Sequence, residues 1–199
     1  MVTEHYYSEN PKCKKKDFYI KTRVFGVDLD MITASGVYSP LQLDKGSLVH
    51  IKFLKIKDGD KILDLGCGYG TVGILIGKLF PKTEIYMTDI NKRAIQCARE
   101  NLKHNKIKAQ MFQGDGFSNI PDNDFDVIVF NPPIHAGLAV CYRLIAESFE
   151  HLKKGGSLQV VLRPKLGGKR LAKKMETIFG NVENLGKEGI YSCYIALKL

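Results

Sequence analysis

Asn131-Pro132-Pro133-Ile134 follows directly on the apolar run Phe125 to Phe130, so a rigid, donor-poor turn closes what reads as a buried strand. Neither proline carries an N–H and both hold φ at about −65°, which leaves the carbonyls of the turn facing outward and free to accept. The amide oxygen of Asn131 and a nearby backbone carbonyl can then accept both hydrogens of one planar NH2 group. Held that way, the nitrogen pyramidalises and turns its lone pair toward an electrophile. Methylation of an exocyclic amine needs this arrangement and needs no catalytic nucleophile. Taken alone, the tetrapeptide reads better as ordinary loop punctuation. A second motif upstream tips the balance.

Lys61 to Leu65 reads as a short buried strand, Gly66-Cys67-Gly68-Tyr69-Gly70 as a turn and Thr71 to Phe80 as a helix. Strand, glycine turn and helix form the nucleotide-cradling unit of open α/β sheets, with ligands at the carboxyl ends of the strands. Two ligands compete for it. Gly68, Gly70 and Gly73 satisfy the dinucleotide fingerprint, with Asp89 roughly 20 residues on. Counted from the strand end, however, the pattern is Asp64-x-Gly66-x-Gly68-x-Gly70, with a carboxylate just before the turn. Such a group repels a diphosphate and attracts a cation. S-adenosylmethionine carries an ammonium and a sulfonium and no phosphate, so Asp64 favours that methyl donor over NAD.

Further acids stand at matching places. Thr83 to Thr88 reads as a second strand ending at Asp89, which can accept from both ribose hydroxyls of either ligand. Asn91 serves as N-cap of a helix over Lys92 to Asn101. A third strand, Ala109 to Gln113, runs into Gly114-Asp115-Gly116, where Asp115 can accept from an adenine amino group. Each acid alone is a turn or capping residue. At the ends of consecutive strands, with Asn131-Pro132-Pro133-Ile134 ending the fourth, they form a site.

The elements that must position these residues are legible around them. Alternating strand and helix patterns from Lys61 to Leu162 require a parallel sheet with helices on both faces. Leu138 to Leu152 is the helix after the Asn-Pro-Pro turn, and Ser157 to Leu162 the next strand. Val182 to Lys187 and Tyr191 to Leu197, separated by Glu188-Gly189, read as a terminal hairpin. The sheet therefore closes on an antiparallel strand, which the dehydrogenase fold lacks. Upstream, Phe18 to Val24 and Val27 to Ile32 around Gly26 form a β-hairpin. Asp44 then caps a helix carrying Leu48, Val49, Ile51 and Phe53.

At this point the chain resembles the class I S-adenosylmethionine-dependent methyltransferases. More narrowly it is similar to the small-domain group that includes bacterial 16S and 23S ribosomal RNA guanine-N2 methyltransferases. DLGCGYG over Asp64 to Gly70, TDIN over Thr88 to Asn91, GDGF over Gly114 to Phe117 and NPPIHAG over Asn131 to Gly137 carry the resemblance, together with GVYSPLQLDKGS over Gly36 to Ser47. It implies a Rossmann-like α/β fold, a mostly parallel seven-stranded sheet with an antiparallel last strand and a small N-terminal hairpin and helix. It also implies one domain over 1–199, with an extension over 1–56 and a catalytic core over 57–199. Asp64, Gly66, Gly68 and Gly70 would line the methionine part of the donor, Asp89 with Ile90 the ribose, and Asp115 with Gly116 the adenine. Tyr38 would close over the donor, while Asn131 and the Pro132 carbonyl would hold the target amine, beside Pro133, Ile134 and His135.

The chain departs from the group in one respect that touches the substrate. Members usually carry an aromatic residue after Pro-Pro that stacks on the target base; here it is Ile134. Base stacking is worth ~1–3 kcal/mol, and His135 offers a flat ring one position later. The longer bacterial enzymes also carry a degenerate second domain at the N-terminus, for which 199 residues leave no room.

Composition bounds the partners. Thirty Lys and Arg against 21 Asp and Glu give a formal charge of +9, which suits a polyanion such as RNA. The basic residues cluster at Lys12, Lys14, Lys15 and Lys16, and at Arg163, Lys165, Lys169, Arg170, Lys173 and Lys174. The second cluster follows a strand, so Lys169 and Arg170 are expected near the ligand end of the sheet. Lysine enrichment also marks hyperthermophilic proteins. Cys13, Cys67, Cys97, Cys141 and Cys193 lack C-x-x-C spacing, which argues for reduced thiols and against a zinc site. With no membrane-spanning run and a polar start over Met1 to Lys16 without a signal-peptide core, the expected location is cytoplasmic.

The expected activity is methyl transfer to an exocyclic amine, guanine N2 of a structured RNA first. A protein glutamine amide or a small-molecule amine is the nearer alternative, a non-catalytic RNA-binding module the farther one, and a nicotinamide oxidoreductase the last.

Overall fold

Alternating apolar residues in the first described segments make a hairpin, β1 (Asp17–Val24) and β2 (Val27–Ala34), followed by α1 (Lys45–Phe53). The computed structural model describes residues 6–199; the first five residues of the polar start lie outside it. From Lys61 onward the chain runs β3 (Lys61–Leu65), α2 (Thr71–Leu79), β4 (Glu84–Asp89), α3 (Lys92–His104), β5 (Gln110–Gln113) and β6 (Phe125–Phe130). It continues through α4 (Leu138–His151), β7 (Leu152–Leu162), α5 (Gly168–Phe179), β8 (Glu183–Glu188) and β9 (Tyr191–Leu197).

Strands β3 to β9 form a seven-stranded sheet in the order β5-β4-β3-β6-β7-β9-β8. Pairs from β5 to β7 are parallel, and β9 lies antiparallel between β7 and β8. The two-residue side-chain period of the strands divides the core into two layers. Ile62, Met87, Val127 and Val129 face α2, α3 and the hairpin. Leu63, Leu65, Ile128 and Phe130 face the other way, onto Leu144 and Ile145 of α4 and Leu171 and Met175 of α5.

The hairpin is fastened to the sheet domain by Asn101 of α3, which is fully buried. Its Nδ2 donates to Ile32 O at 2.7 Å and Tyr69 O at 2.8 Å, and its Oδ1 accepts from Ile32 N–H at 2.6 Å. One side chain thus ties β2 to the glycine turn after β3.

The expected elements all form, with shifted ends. Helix α3 continues beyond Asn101 to His104 because Leu102 still packs into the core. Strand β7 begins at Leu152 rather than Ser157, and its register against β6 breaks between Phe125 and Val127. Two short 3-10 turns, at Ile134–Ala136 and Pro164–Leu166, follow the ends of β6 and β7. Among the described residues no helix is long and apolar enough to cross a membrane, and no group of His, Cys, Asp or Glu is arranged to hold a metal.

Candidate active site

The chain turns from one side of the sheet to the other between β3 and β6, and ligands of open α/β sheets bind beyond the carboxyl ends of strands at such a point. A cavity of about 370 Å³ opens there, within the range of small-molecule sites. Gly66, Gly68, Asp64, Asp89, Ile90, Gly116, Tyr38 and the Asn131 to His135 segment all line it.

The glycine turn owes its composition to its backbone. Gly66, Gly68 and Gly70 have φ of +73°, +57° and +96°, a region that side chains disfavour. A Cβ at Gly66 or Gly68 would meet nothing within 4 Å, so the space above the loop is open to a ligand. The N–H groups of Gly66 and Cys67 both donate to Thr88 O at 2.9 Å, which hangs the loop on the end of β4. Gly70 is the N-cap of α2 and does not line the cavity.

Two carboxylates face the cavity without compensating cations. Asp64 is 4 % exposed, and its Oδ2 accepts from Gly73 N–H at 2.9 Å in the first turn of α2. Burial pushes its carboxyl up to about 7, with Asp89 adding to the rise and the Gly73 N–H opposing it. Half-buried Asp89 accepts from Asn91 N–H on Oδ1 and from Gly68 N–H on Oδ2, both at 2.8 Å. Desolvation raises it to about 6 against the pull of those two donors. Among the described residues neither acid has an ion-pair partner, and a buried uncompensated carboxylate is costly. A cationic ligand relieves that cost. A diphosphate does not, because Asp64 already occupies an N–H of the α2 N-terminus, where phosphates usually bind.

Beyond the end of β5, Gly116 lines the cavity with φ +61°, and a Cβ there would lie 2.4 Å from Leu144 Cδ2. Asp115 is exposed and does not line the cavity. Its Oδ1 accepts from Tyr7 Oη at 2.6 Å and from Arg143 at 2.8 Å, which leaves Oδ2 to any further donor.

At the opposite end, Pro132 and Pro133 are buried, while Asn131 is half-buried at the rim of the sheet. Asn131 Nδ2 donates to Asp44 Oδ2 at 3.0 Å and lies 3.4 Å from Ser47 Oγ. Its Oδ1 has no hydrogen-bond partner among the described residues. The turn carbonyls are less free than the two prolines suggest. Pro132 O accepts from Ile134 N–H at 2.9 Å across an inverse γ-turn at Pro133 (φ −77°, ψ 70°). Pro133 O accepts from Ala136 N–H at 2.8 Å. The donors come from the 3-10 turn that follows, and each carbonyl keeps its second lone pair.

Flat rings reach the cavity from places that sequence spacing did not single out. Tyr6 packs against Tyr38 with ring centroids 4.7 Å apart and meets His135 edge-on at 6.5 Å. Tyr7 covers the Asp115 side, and Tyr191, at the start of β9, lies with Arg163 in the lining of the cavity. Tyr6 and Tyr7 are far in sequence from every motif; the only signal was an aromatic pair in an otherwise polar stretch. Asp44 was legible as a helix cap, not as a partner of Asn131. Lys169 and Arg170 are exposed in the first turn of α5 and do not line the cavity, whereas Arg163 of the same cluster does.

The family model described as methyltransferase small domain matches residues 28–195. YbxB, an uncharacterized protein of Bacillus subtilis, is 35% identical over the whole of both chains. Ribosomal RNA small subunit methyltransferase C of Haemophilus influenzae is 34% identical over 83% of this chain and 51% of its own length. The structure of the Thermus thermophilus 16S rRNA N2 G1207 methyltransferase (RsmC), in complex with AdoMet and guanosine, superposes with a TM-score of 0.83. It is 25% identical, over 92% of this chain and 51% of that one. The chain thus spans about half the length of these ribosomal RNA methyltransferases.

Proposed function

The chain belongs to the small-domain family of S-adenosylmethionine-dependent methyltransferases, and from that premise we propose that it methylates an exocyclic amine of RNA, guanine N2 of a ribosomal RNA. The observation that carries this reading is the Asn131 amide. Its Nδ2 is tied back to Asp44, so its oxygen is the face offered to the cavity that Asp64 and Asp89 share.

The donor is held by this chain as follows. Asp64 and the turn at Gly66 and Gly68, which Gly70 ends as the cap of α2, take its ammonium and methionine part, Asp89 with Ile90 takes the ribose, and Gly116 takes the adenine, with the free oxygen of Asp115 at the edge just outside the cavity. Tyr6 and Tyr38 close over it. Bound there, S-adenosylmethionine supplies a methyl group already activated by its sulfonium.

At the acceptor end, Asn131 Oδ1 accepts one hydrogen of the amine, and the second lone pair of Pro132 O accepts the other. The amine lone pair is thereby turned toward the donor. Catalysis comes from proximity and orientation, and no general base needs to touch the nitrogen before transfer. Pro133, Ile134 and His135 wall the acceptor. A base inside a helix must be unstacked to enter, and Arg163, Lys169 and Arg170 meet the phosphates around it. Residues 57–199 are read as the catalytic core of a single domain and the hairpin and helix before it as its N-terminal extension. The reaction is then a cytoplasmic one.

Asn131→Ala tests the assignment. Methyl transfer should fall by at least 100-fold while the donor Kd, measured by calorimetry, stays within threefold of wild type. A comparable loss of donor affinity would contradict the assigned role. Ile134 in place of an aromatic residue favours the second reading, a protein glutamine amide or small-molecule amine as acceptor.

A further inference from the structure

We propose that Asp44 is a positioning residue for the Asn131 side chain, fixing which face of that amide meets the acceptor; the inference rests on the reading above. Asp44 stands just before α1 with extended backbone (φ −65°, ψ 125°) and accepts from Ser47 N–H at 2.7 Å and Ser47 Oγ at 3.1 Å, both on Oδ2. That much is helix capping, for which Ser, Thr or Asn serves about as well. The remaining contacts are not capping. Oδ2 also accepts from Asn131 Nδ2 at 3.0 Å, and Oδ1 accepts from Tyr38 Oη at 3.1 Å.

A carboxylate accepts all four of these hydrogen bonds without donating any. It presents two oxygens with several lone pairs and no donor, whereas a hydroxyl has one oxygen and an amide has one acceptor and one donor group. Because Asp44 only accepts, the Asn131 amide must turn its NH2 toward α1 and its Oδ1 away. Were the amide flipped, two N–H groups would confront the two hydrogens of the incoming amine, and the acceptor would be repelled. The hydrogen bond to a carboxylate also polarises the amide and makes Oδ1 a stronger acceptor. In addition, the nitrogen gains positive charge as the methyl group arrives, and a carboxylate behind Asn131 favours that change.

Asp44 therefore joins the two halves of the site. One oxygen sets the acceptor side through Asn131, and the other holds Tyr38, whose ring packs on Tyr6 over the donor side. The coupling spans 87 positions in the chain between Asp44 and Asn131.

The test uses Asp44→Ser, which keeps an oxygen for the Ser47 N–H, and Asp44→Thr as a second variant that also keeps the cap. In the full-length protein, kcat for methyl transfer should fall about 100-fold, the scale of a misplaced reacting group. KM for RNA should move less than threefold, and the Tm should stay near wild type. The side-chain NH2 signals of Asn131, assigned in a 15N spectrum by their loss in Asn131→Ala, should lose their protection from exchange in both Asp44 variants. Transfer within twofold of wild type, or Asn131 NH2 signals unchanged in both variants, would overturn the proposal. If wild-type protein labels no RNA yet the Asn131 signals respond to Asp44 as described, the positioning stands and the RNA reading fails.

Discussion

Asp64 Oδ2 accepts from the Gly73 N–H at 2.9 Å, so the first turn of α2 carries a buried carboxylate of its own. The carboxyl groups of Asp64 and Asp89 stand at about 7 and about 6, above the ~3.9 of an unfolded aspartate. The folded protein thus holds more protons than the unfolded chain between roughly pH 4 and 7, and the stability of the ligand-free protein falls as pH rises through that window.

A cationic donor prefers the ionised acids, so its affinity should rise with pH from 5.5 to 8 and level off there. Asp64→Asn, which keeps an acceptor for Gly73, should flatten this rise and weaken donor binding at pH 8 by about 10–100-fold, the worth of a charge-assisted hydrogen bond. The same variant should be at least as stable as wild type at pH 8 without ligand. Calorimetric titration and thermal melts across pH read both effects. A donor affinity independent of pH in the wild type would contradict the role given to Asp64.

Tyr7 spans 108 positions to reach Asp115 Oδ1 at 2.6 Å, and this bond holds the N-terminal segment beside the end of the cavity proposed for adenine. Tyr7→Phe keeps the ring and removes the tether. Donor dissociation, followed by stopped-flow displacement, should quicken by about 3–10-fold, with the Tm almost unchanged because the bond is exposed.

The flat surface that Ile134 does not supply is available from Tyr191. Its ring lies under the Arg163 guanidinium, 5.9 Å from centroid to Cζ, and beside Gly46, where a Cβ would sit 3.0 Å from Tyr191 Cε1. Tyr191→Ala should raise KM for RNA by about 10-fold, the lower part of the ~1–3 kcal/mol range of base–aromatic stacking. Donor Kd should not change. A KM indifferent to Tyr191 would shift the stacking role to His135 or favour an acceptor without a base.

The sequence made the sheet readable because its signals are local. Apolar runs, glycine turns and the caps Asp44 and Asn91 each lie within a few residues of what they specify, and the parallel pairing of the sheet followed from the alternation of elements. The polar groups at the strand ends were legible for the same reason: Asp64, Asp89 and Asn131 each stand at or beside a strand terminus. What the sequence could not disclose were contacts made across the chain. Nothing local to Asp44 pointed to Asn131, nothing near Tyr7 pointed to Asp115, and Tyr191 looked like any residue opening a hairpin strand. The carbonyls of Pro132 and Pro133 were expected to be wholly free because prolines donate nothing. The turn at Ile134–Ala136 brings its own N–H groups back to them, a return that depends on backbone angles rather than on residue type.

The most direct test of the whole account is to incubate the protein with tritiated S-adenosylmethionine and hypomethylated total RNA, digest to nucleosides and chromatograph. The account predicts label eluting as N2-methylguanosine, lost with Asn131→Ala. Donor binding with label appearing in protein or a small-molecule amine, and none in RNA, would contradict it.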